Sequence, residues 1–367
     1  MFSLYQLSRS QLSEQVAAWG FAESHAQRLW RYLYREVATS FEEMLELPAR
    51  LRERLQCEAP MVRLQPVEER HSNDRLTRKY LFALVDGAVV ETALMRMRDR
   101  WTVCLSSQAG CALGCVFCAT GQAGFTRNLT TAEIVAQAMF VQRLLLDTCG
   151  STARVRRPGG DRAKADTLRN IVMMGMGEPL LNYDATIGAI ETLSDPGGMA
   201  IGGKQITLST VGVIPGIIRM ADERRPYSLA VSLHAATQEQ RLELLPAART
   251  WPLDELLDAC RYYTAKLDRR IFFEWTLIEG ANDSTEQAQL LARLLRDIPS
   301  HINLIPLNRT AGYRGAAATS SLDRFHQTLR DEGMAVSVRQ HRGIDIAGGC
   351  GQLAGRTLHE LDTTLNA

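Results

Sequence analysis

Cys111, Cys115 and Cys118 lie within eight residues, in the run CALGCVFC. Thiolates at C-x3-C-x2-C spacing can each hold one iron of a cubane cluster. Such clusters ordinarily take four cysteines, so a set of three leaves the fourth iron without a protein ligand. An open coordination position is where metal chemistry takes place. Zinc is the competing metal, but its spacings pair one C-x2-C with a second pair far downstream. No matching C-x2-C or H-x3-H stands elsewhere in the chain. Three core cysteines gathered by chance is the remaining reading.

Other residues stand where a ligand could be held. Gly177 and Glu178 follow an apolar run in MMGMGEPLLNYD. Glycine admits a close backbone approach, and a carboxylate at a strand end can accept a hydrogen bond from an ammonium or a ribose. Ser209 closes ITLS, Ser232, Leu233 and His234 close LAVSLHA, and Asn308 follows NLIP. Taken singly, such residues are helix caps or satisfied strand ends. Cys104 and Cys350 lie outside the triplet, and an unpaired cysteine is commonly a small buried hydrophobe. Cys350 nevertheless sits in GGCGQLAG, a glycine-rich segment that cannot be a regular core element. Cys57, Cys149 and Cys260 match no motif and read as structural. Glu91, in VVETALM, reads on its own as a solvent-facing strand carboxylate.

Residues up to about Pro60 carry apolar positions at helical spacing, over Leu12 to Gly20, His25 to Arg35 and Leu47 to Arg54. Ser40 and Glu43 have capping-box spacing. Arg28, Arg31, Arg35, Arg50, Arg52 and Arg54 punctuate this region, either as a solvated helical face or as phosphate contacts. Tyr80 to Leu84 and Ala88 to Met95 read as strands joined by an Asp86-Gly87 turn. From about Arg98 onward strands and helices alternate in about six βα units. The strand of Thr102 to Ser106 precedes the cysteine loop, and a long helix, Thr131 to Leu146, follows it with Thr130 or Thr131 as its cap. Repeated βα units argue for a parallel sheet closed or partly closed into a barrel, with chemistry at the C-terminal strand ends. The candidate residues fall at those ends. Gly150 to Arg169 is the one stretch of low hydrophobicity and reads as a basic loop. The chain divides on this reading into a helical segment 1–75, a β-hairpin linker 76–97 and a barrel 98–367.

The stretch from Cys104 to Gln137, with MMGMGEPLLNYD and GIDIAGGCGQL in the same order and separation, resembles the RlmN/Cfr group of radical S-adenosylmethionine (SAM) RNA adenosine methyltransferases. The likeness runs over nearly the whole chain. It implies an α/β fold, a partial (β/α)6 radical SAM barrel with a small N-terminal helical accessory domain that binds RNA. It implies a [4Fe-4S] cluster on Cys111, Cys115 and Cys118, with SAM on the open iron. Gly177, Glu178, Ser209, Ser232, Leu233, His234 and Asn308 would line the SAM pocket. Two departures stand out: the family run TSG after Ser209 is here Thr210 followed by Val211, and the family NP is here Asn308-Arg309. The resemblance implies that Cys350 is methylated by one SAM, that a radical from a second SAM activates the methyl-cysteine, and that Cys104 resolves the protein–RNA adduct by a disulfide with Cys350. It assigns removal of the ring proton to Glu91. The implied partners are ribosomal RNA and tRNA, and an electron donor such as flavodoxin or ferredoxin, with the enzyme a monomer.

Two members of the group differ in target, carbon 2 or carbon 8 of the same adenosine, and the motifs serve both. A radical SAM oxidoreductase or synthase would not need Cys104 and Cys350. A non-enzymatic RNA-binding protein with a structural metal site would not cleave SAM. Length and composition fit any of these: 367 residues, 46% hydrophobic, formal net charge +1. No apolar run approaches a bilayer span. The N-terminus MFSLYQLSRSQLSEQ lacks a secretory pattern. Cysteines clustered at a metal-type motif argue for a reducing cytoplasm over disulfide use.

Overall fold

The computed structural model describes residues 2–61, 63–97, 100–148, 167–308, 310, 312–318, 320–339, 344–346 and 352. Three helices come first: α1 (Arg9–Ala18), α2 (Glu23–Tyr34) and α3 (Ala49–Glu58). Ser8 caps α1 reciprocally with Gln11, satisfying two of the donors that a helix start leaves unpaired. In α2, Ala26, Leu29, Trp30 and Leu33 recur on one face and are fully buried. The Trp30 indole N–H donates to Asp195 at 3.0 Å, tying that face to the rest of the molecule. The capping box expected at Ser40 does not form. Glu43 instead accepts from the backbone N–H and the hydroxyl of Thr39, one residue earlier. Several expected phosphate-contacting arginines are ion-paired: Arg28 and Arg31 with Glu46, and Arg54 with Glu58.

The strands then follow: β1 (Pro66–His71), β2 (Thr77–Ala83), β3 (Val89–Met97), β4 (Arg100–Cys104) and β5 (Gln108–Gly110). After the cysteine loop and its short helix α4 (Ala119–Gln122) come β6 (Phe125–Asn128) and the long α5 (Thr131–Thr148). The remaining units are β7 (Leu168–Met173), α6 (Tyr183–Ser194), β8 (Ile206–Thr210), α7 (Ile214–Asp222) and β9 (Ser228–Ser232), then α8 (Gln238–Leu244), α9 (Leu253–Leu267), β10 (Ile271–Leu277), α10 (Thr285–Leu294), β11 (Ser300–Pro306), α11 (Leu322–Asp331) and β12 (Val336–Val338).

One ten-stranded sheet has the order β1-β2-β3-β4-β7-β8-β9-β10-β11-β12. β1 to β4 pair antiparallel, and every neighbour from β4 onward pairs parallel. This is a partial barrel of six βα units, and among the described residues no pairing joins β12 back to β1. Its strands read as near-continuous apolar runs because helices cover the outer face. β1 lies before residue 75 yet pairs with β2, so the helical segment ends earlier than expected and the hairpin extends the barrel sheet. The basic loop also ends sooner: Arg169 belongs to β7, while 149–166, with Cys149, lie outside the described residues.

Gln137 of α5 ties the outer layer to the site. Fully buried, it accepts from the Thr92 hydroxyl and the Ser106 N–H, both at 2.9 Å, and donates to the Ser106 carbonyl. The Ser106 hydroxyl in turn accepts from the Met176 N–H at 2.9 Å, which holds the GMGEP turn. Gln137→Met keeps the volume and strands these groups. Denaturant unfolding is expected to show a loss of about 2–4 kcal/mol, since each buried group left unpaired costs about 1–3 kcal/mol. A change below about 0.5 kcal/mol would mean that water or relaxation replaces the lost bonds.

Candidate active site

The cysteine loop has no ladder of its own and is held at its ends and underneath. β5 and β6 form a two-stranded clasp around it. The Cys111 N–H donates to the Gly124 carbonyl at 2.7 Å. Gly110, at φ +76°, makes this possible, because a side-chain carbon there would lie 2.0 Å from the Gly124 oxygen. The Val116 N–H donates to the Leu244 carbonyl at the end of α8. Cys111 and Cys115 are buried and Cys118 is half-buried. Burial pushes the Cys111 thiol up to about 11, with Cys118 adding like-charge repulsion, and drives Cys115 higher still. Thiols so placed stay protonated until a metal replaces the protons. Among the described residues no three His, Cys, Asp or Glu side chains close on a single-ion site. All three cysteines instead line one cavity, and three thiols are the donor type that an iron–sulfur cubane takes.

That cavity, about 340 Å³, opens at the C-terminal ends of the parallel strands. Glu178, just after β7 and only 2% exposed, lines the same cavity. Its carboxylate accepts from the Leu180 N–H at 3.0 Å and the Val211 N–H at 2.9 Å. Burial outweighs these donors and raises its pKa to about 7. The preceding Gly177, at φ +99°, packs where a side-chain carbon would meet Gln108 at 2.4 Å. The departure at Val211 falls on a residue that lines the cavity and whose peptide N–H holds Glu178.

Ser209, Ser232, His234 and Asn308 line the same cavity. His234 is buried, at a φ of +58° that is strained for a side chain with a Cβ. Its Nδ1 accepts from the Thr276 N–H at 2.9 Å, so the neutral ring carries its proton on Nε2. Burial first, and Arg241 second, pull its pKa down to about 3. Leu233 is not brought to the cavity: its side chain is in the core, and its N–H donates to the Glu274 carbonyl.

Cys104 and Glu91 lie beside the cavity rather than in its lining. Glu91 is not solvent-facing. It is 4% exposed and paired with the equally buried Lys79 at 2.8 Å, because both sit on the inner face of the antiparallel hairpin. The Cys104 thiol is half-buried within the electrostatic reach of Lys79, Glu91 and Arg339. Burial pushes it up to about 11, against the Met174 N–H and the nearby cations. Cys350 lies outside the described residues. Cys57 is exposed and Cys260 is buried, both away from the cavity.

Sequence reasoning missed Glu274 and Arg339, which face the cavity floor. Glu274 accepts from Asn303 and from Arg339, each at 3.0 Å, and Arg339 also approaches the Met174 sulfur. The available signal was a carboxylate in the middle of the apolar strand IFFEWTL, which needs a partner to be buried.

Residues 2–61 match the family model described as the ribosomal RNA large subunit methyltransferase N-terminal domain. The chain is 51% identical to a protein of Opitutus terrae named probable dual-specificity RNA methyltransferase RlmN 2, over 96% of this chain and 86% of that protein. It is 50% identical to the dual-specificity RNA methyltransferase RlmN 1 of Myxococcus xanthus, over 96% of this chain and 94% of the relative. A crystal structure of a radical SAM methyltransferase from Sphaerobacter thermophilus superposes with a TM-score of 0.88 at 43% identity, covering 96% of this chain and 99% of the other.

The raised pKa of Glu178 has a consequence for the protein without ligands. A carboxyl that titrates near 4.5 unfolded and near 7 folded lends stability that is complete below about pH 4.5 and lost as the pH rises through about 7. The full effect is on the order of 3 kcal/mol. Glu178→Gln is expected to flatten this part of the stability profile between pH 4.5 and 7, read by denaturant unfolding. Parallel profiles for the two proteins would contradict it.

Proposed function

Because the chain belongs to the RlmN family of RNA methyltransferases, we propose that it is a radical SAM enzyme that methylates carbon 2 of an adenosine in 23S ribosomal RNA, and in tRNA, through a methyl-cysteine intermediate. The observation that carries this reading is the gathering of three thiols, Glu178 and the polar strand ends in one cavity at the C-terminal face of the barrel. Cys111, Cys115 and Cys118 hold a [4Fe-4S] cluster. Gly177, Glu178, Ser209, Ser232, His234 and Asn308 hold SAM, and Leu233 serves through its backbone. Glu178 accepts from the amino group of SAM, and the Nε2–H of His234 is a donor, its Nδ1 being taken by the Thr276 N–H. When bound, the cluster and SAM supply the one-electron chemistry that no side chain can.

That chemistry is needed because a ring carbon flanked by nitrogens is electron-poor and does not attack an electrophilic methyl group. Cys350 takes the methyl by displacement. Cys104 later attacks the sulfur of the adduct: the disulfide with Cys350 forms as the sulfur–carbon bond breaks, its electron pair passes to the base, and the methylene carbon takes up a proton to become the methyl group of the released base. Glu91 removes the ring proton. The adjacency of Glu91, Lys79 and Cys104 supports these last two roles, since a base and a resolving thiol must act on the same adduct. The cations near Cys104 partly offset the burial that disfavours the thiolate exchange requires.

The N-terminal helices act as an RNA-binding accessory unit. The match of residues 2–61 to an rRNA methyltransferase N-terminal domain supports this. Flavodoxin or ferredoxin delivers the electron, and the enzyme works as a monomer in the cytoplasm. Carbon 8 is the second reading, and the RlmN names of the relatives favour carbon 2. Mass spectrometry of ribosomal RNA and tRNA incubated with the reconstituted enzyme, reductant and SAM tests this. It is expected to find 2-methyladenosine, and 8-methyladenosine or unmodified RNA would overturn the assignment.

The two thiols are separable by their order of action. Cys350→Ala is expected to acquire no methyl and form no RNA adduct, whereas Cys104→Ala is expected to stall as a covalent protein–RNA complex on a denaturing gel. An RNA-linked band in Cys350→Ala, or multiple turnover in Cys104→Ala, would reject these roles while leaving the cavity assignment in place.

A further inference from the structure

Arg241 has no part in the roles above, and its setting is unusual. It lies on α8, only 1% exposed, among the largest fully buried side chains of the molecule. Its two guanidinium bonds go to neutral carbonyls, those of Trp251 at 3.2 Å and of Val211. Its Nε–H has no acceptor. Among the described residues no carboxylate pairs with it. Burial lowers its pKa to about 10, so it stays charged at neutral pH. A buried cation without a counter-charge is strongly unfavourable, and folds retain one where something else neutralises it.

The ionisable groups within electrostatic reach of it are the thiols of Cys115 and Cys260. Cys260 is fully buried in α9, and burial pushes its thiol up to about 12, so it is neutral. Cys115 is different. The last turn of α8 is built into the cysteine loop: Leu244 accepts from the Val116 N–H, and Leu244 and Leu245 pack with Cys111 and Cys115. Leu245 follows Arg241 by one helical turn and lines the cavity. Arg241 also acts electrostatically on His234 from this position. A cubane with three thiolate ligands is net negative and becomes more so when an external donor adds one electron.

We propose that Arg241 is the built-in counter-charge of the cluster, a tuning residue that raises its reduction potential and so favours uptake of the electron. This rests on the reading that Cys111, Cys115 and Cys118 hold a [4Fe-4S] cluster. Its contact with Val211 extends the effect to binding, because the N–H of that residue holds Glu178. The device places a positive charge beside the cluster without exposing it to water, where screening would weaken it.

The test is an EPR-monitored redox titration of the reconstituted protein, with iron and sulfide content measured first. Arg241→Gln is expected to make one-electron reduction at least tenfold less favourable, a negative shift of about 59 mV or more. Arg241→Lys, which keeps the charge and loses the fork, is expected to stay close to the unaltered protein. Equal potentials in all three would overturn the inference, as would equal shifts in both variants, which would make Arg241 a shape-determining residue only. If Arg241→Gln does not take up the cluster, Arg241→Met takes its place: a tenfold loss there with an unchanged potential in Arg241→Lys supports the charge role, and an unchanged potential in Arg241→Met rejects it. An unaltered protein that binds no cluster would overturn the underlying reading, a result distinguishable by the metal analysis.

Discussion

The two halves of the site meet at Gln108. Its side-chain carbonyl accepts the Glu178 N–H at 2.8 Å, and its amide donates to Asn128 at 2.8 Å on the far arm of the cysteine clasp. One side chain thus fixes the distance between the loop that presents three thiols and the turn that presents a carboxylate. The turn has no slack, since Gly177 approaches Gln108 more closely than any other residue could. Asn182 makes the second tie, donating to the carbonyls of Ser107 and Leu129. Irregular backbone can be buried only when its polar groups are paired, and here the pairing also fixes the geometry of the site.

The electrostatics of the cavity follow from the same burial. A neutral histidine, a carboxyl with a raised pKa and the protonated thiols of Cys111 and Cys115 line about 340 Å³ of space, and the buried guanidinium of Arg241 lies outside that lining. Every one of these groups is displaced in the direction that desolvation dictates. An anionic cluster and a cationic ligand would reverse most of these penalties together. The site is therefore better suited to being filled than to standing empty, and perturbed groups gathered in one cleft are what a functional centre requires.

Much of this was legible in the chain. The long periodic segment α5 appears within two residues of its expected bounds, because amphipathic spacing and capping act locally. Thr130, one of the two expected caps of α5, does exchange hydrogen bonds with Glu133. The missed elements are short: β1, the two strands of the β5–β6 clasp and α8 have seven residues or fewer each, too few for a periodic pattern to register. The cysteine triplet and the GMGEP turn announced themselves by composition. Glu91 was misread as solvent-facing because strand alternation does not reveal which face of a hairpin turns inward, and its partner Lys79 lies on another strand. Arg241 carried no signal at all, since an arginine on a short helix looks like solvated surface until its burial is known.

The central claim is that Cys111, Cys115 and Cys118 hold three irons of a cubane whose fourth iron binds SAM in the cavity facing Glu178. The most direct measurement is pulsed electron–nuclear double resonance on the anaerobically reconstituted, reduced protein with SAM carrying ¹⁵N at its amino group. The account predicts a cluster of four irons per chain and a resolved ¹⁵N coupling that is lost when the three cysteines are replaced by alanine. Stoichiometric zinc in place of iron, or an intact cluster that shows no coupling to the labelled nitrogen, would contradict it.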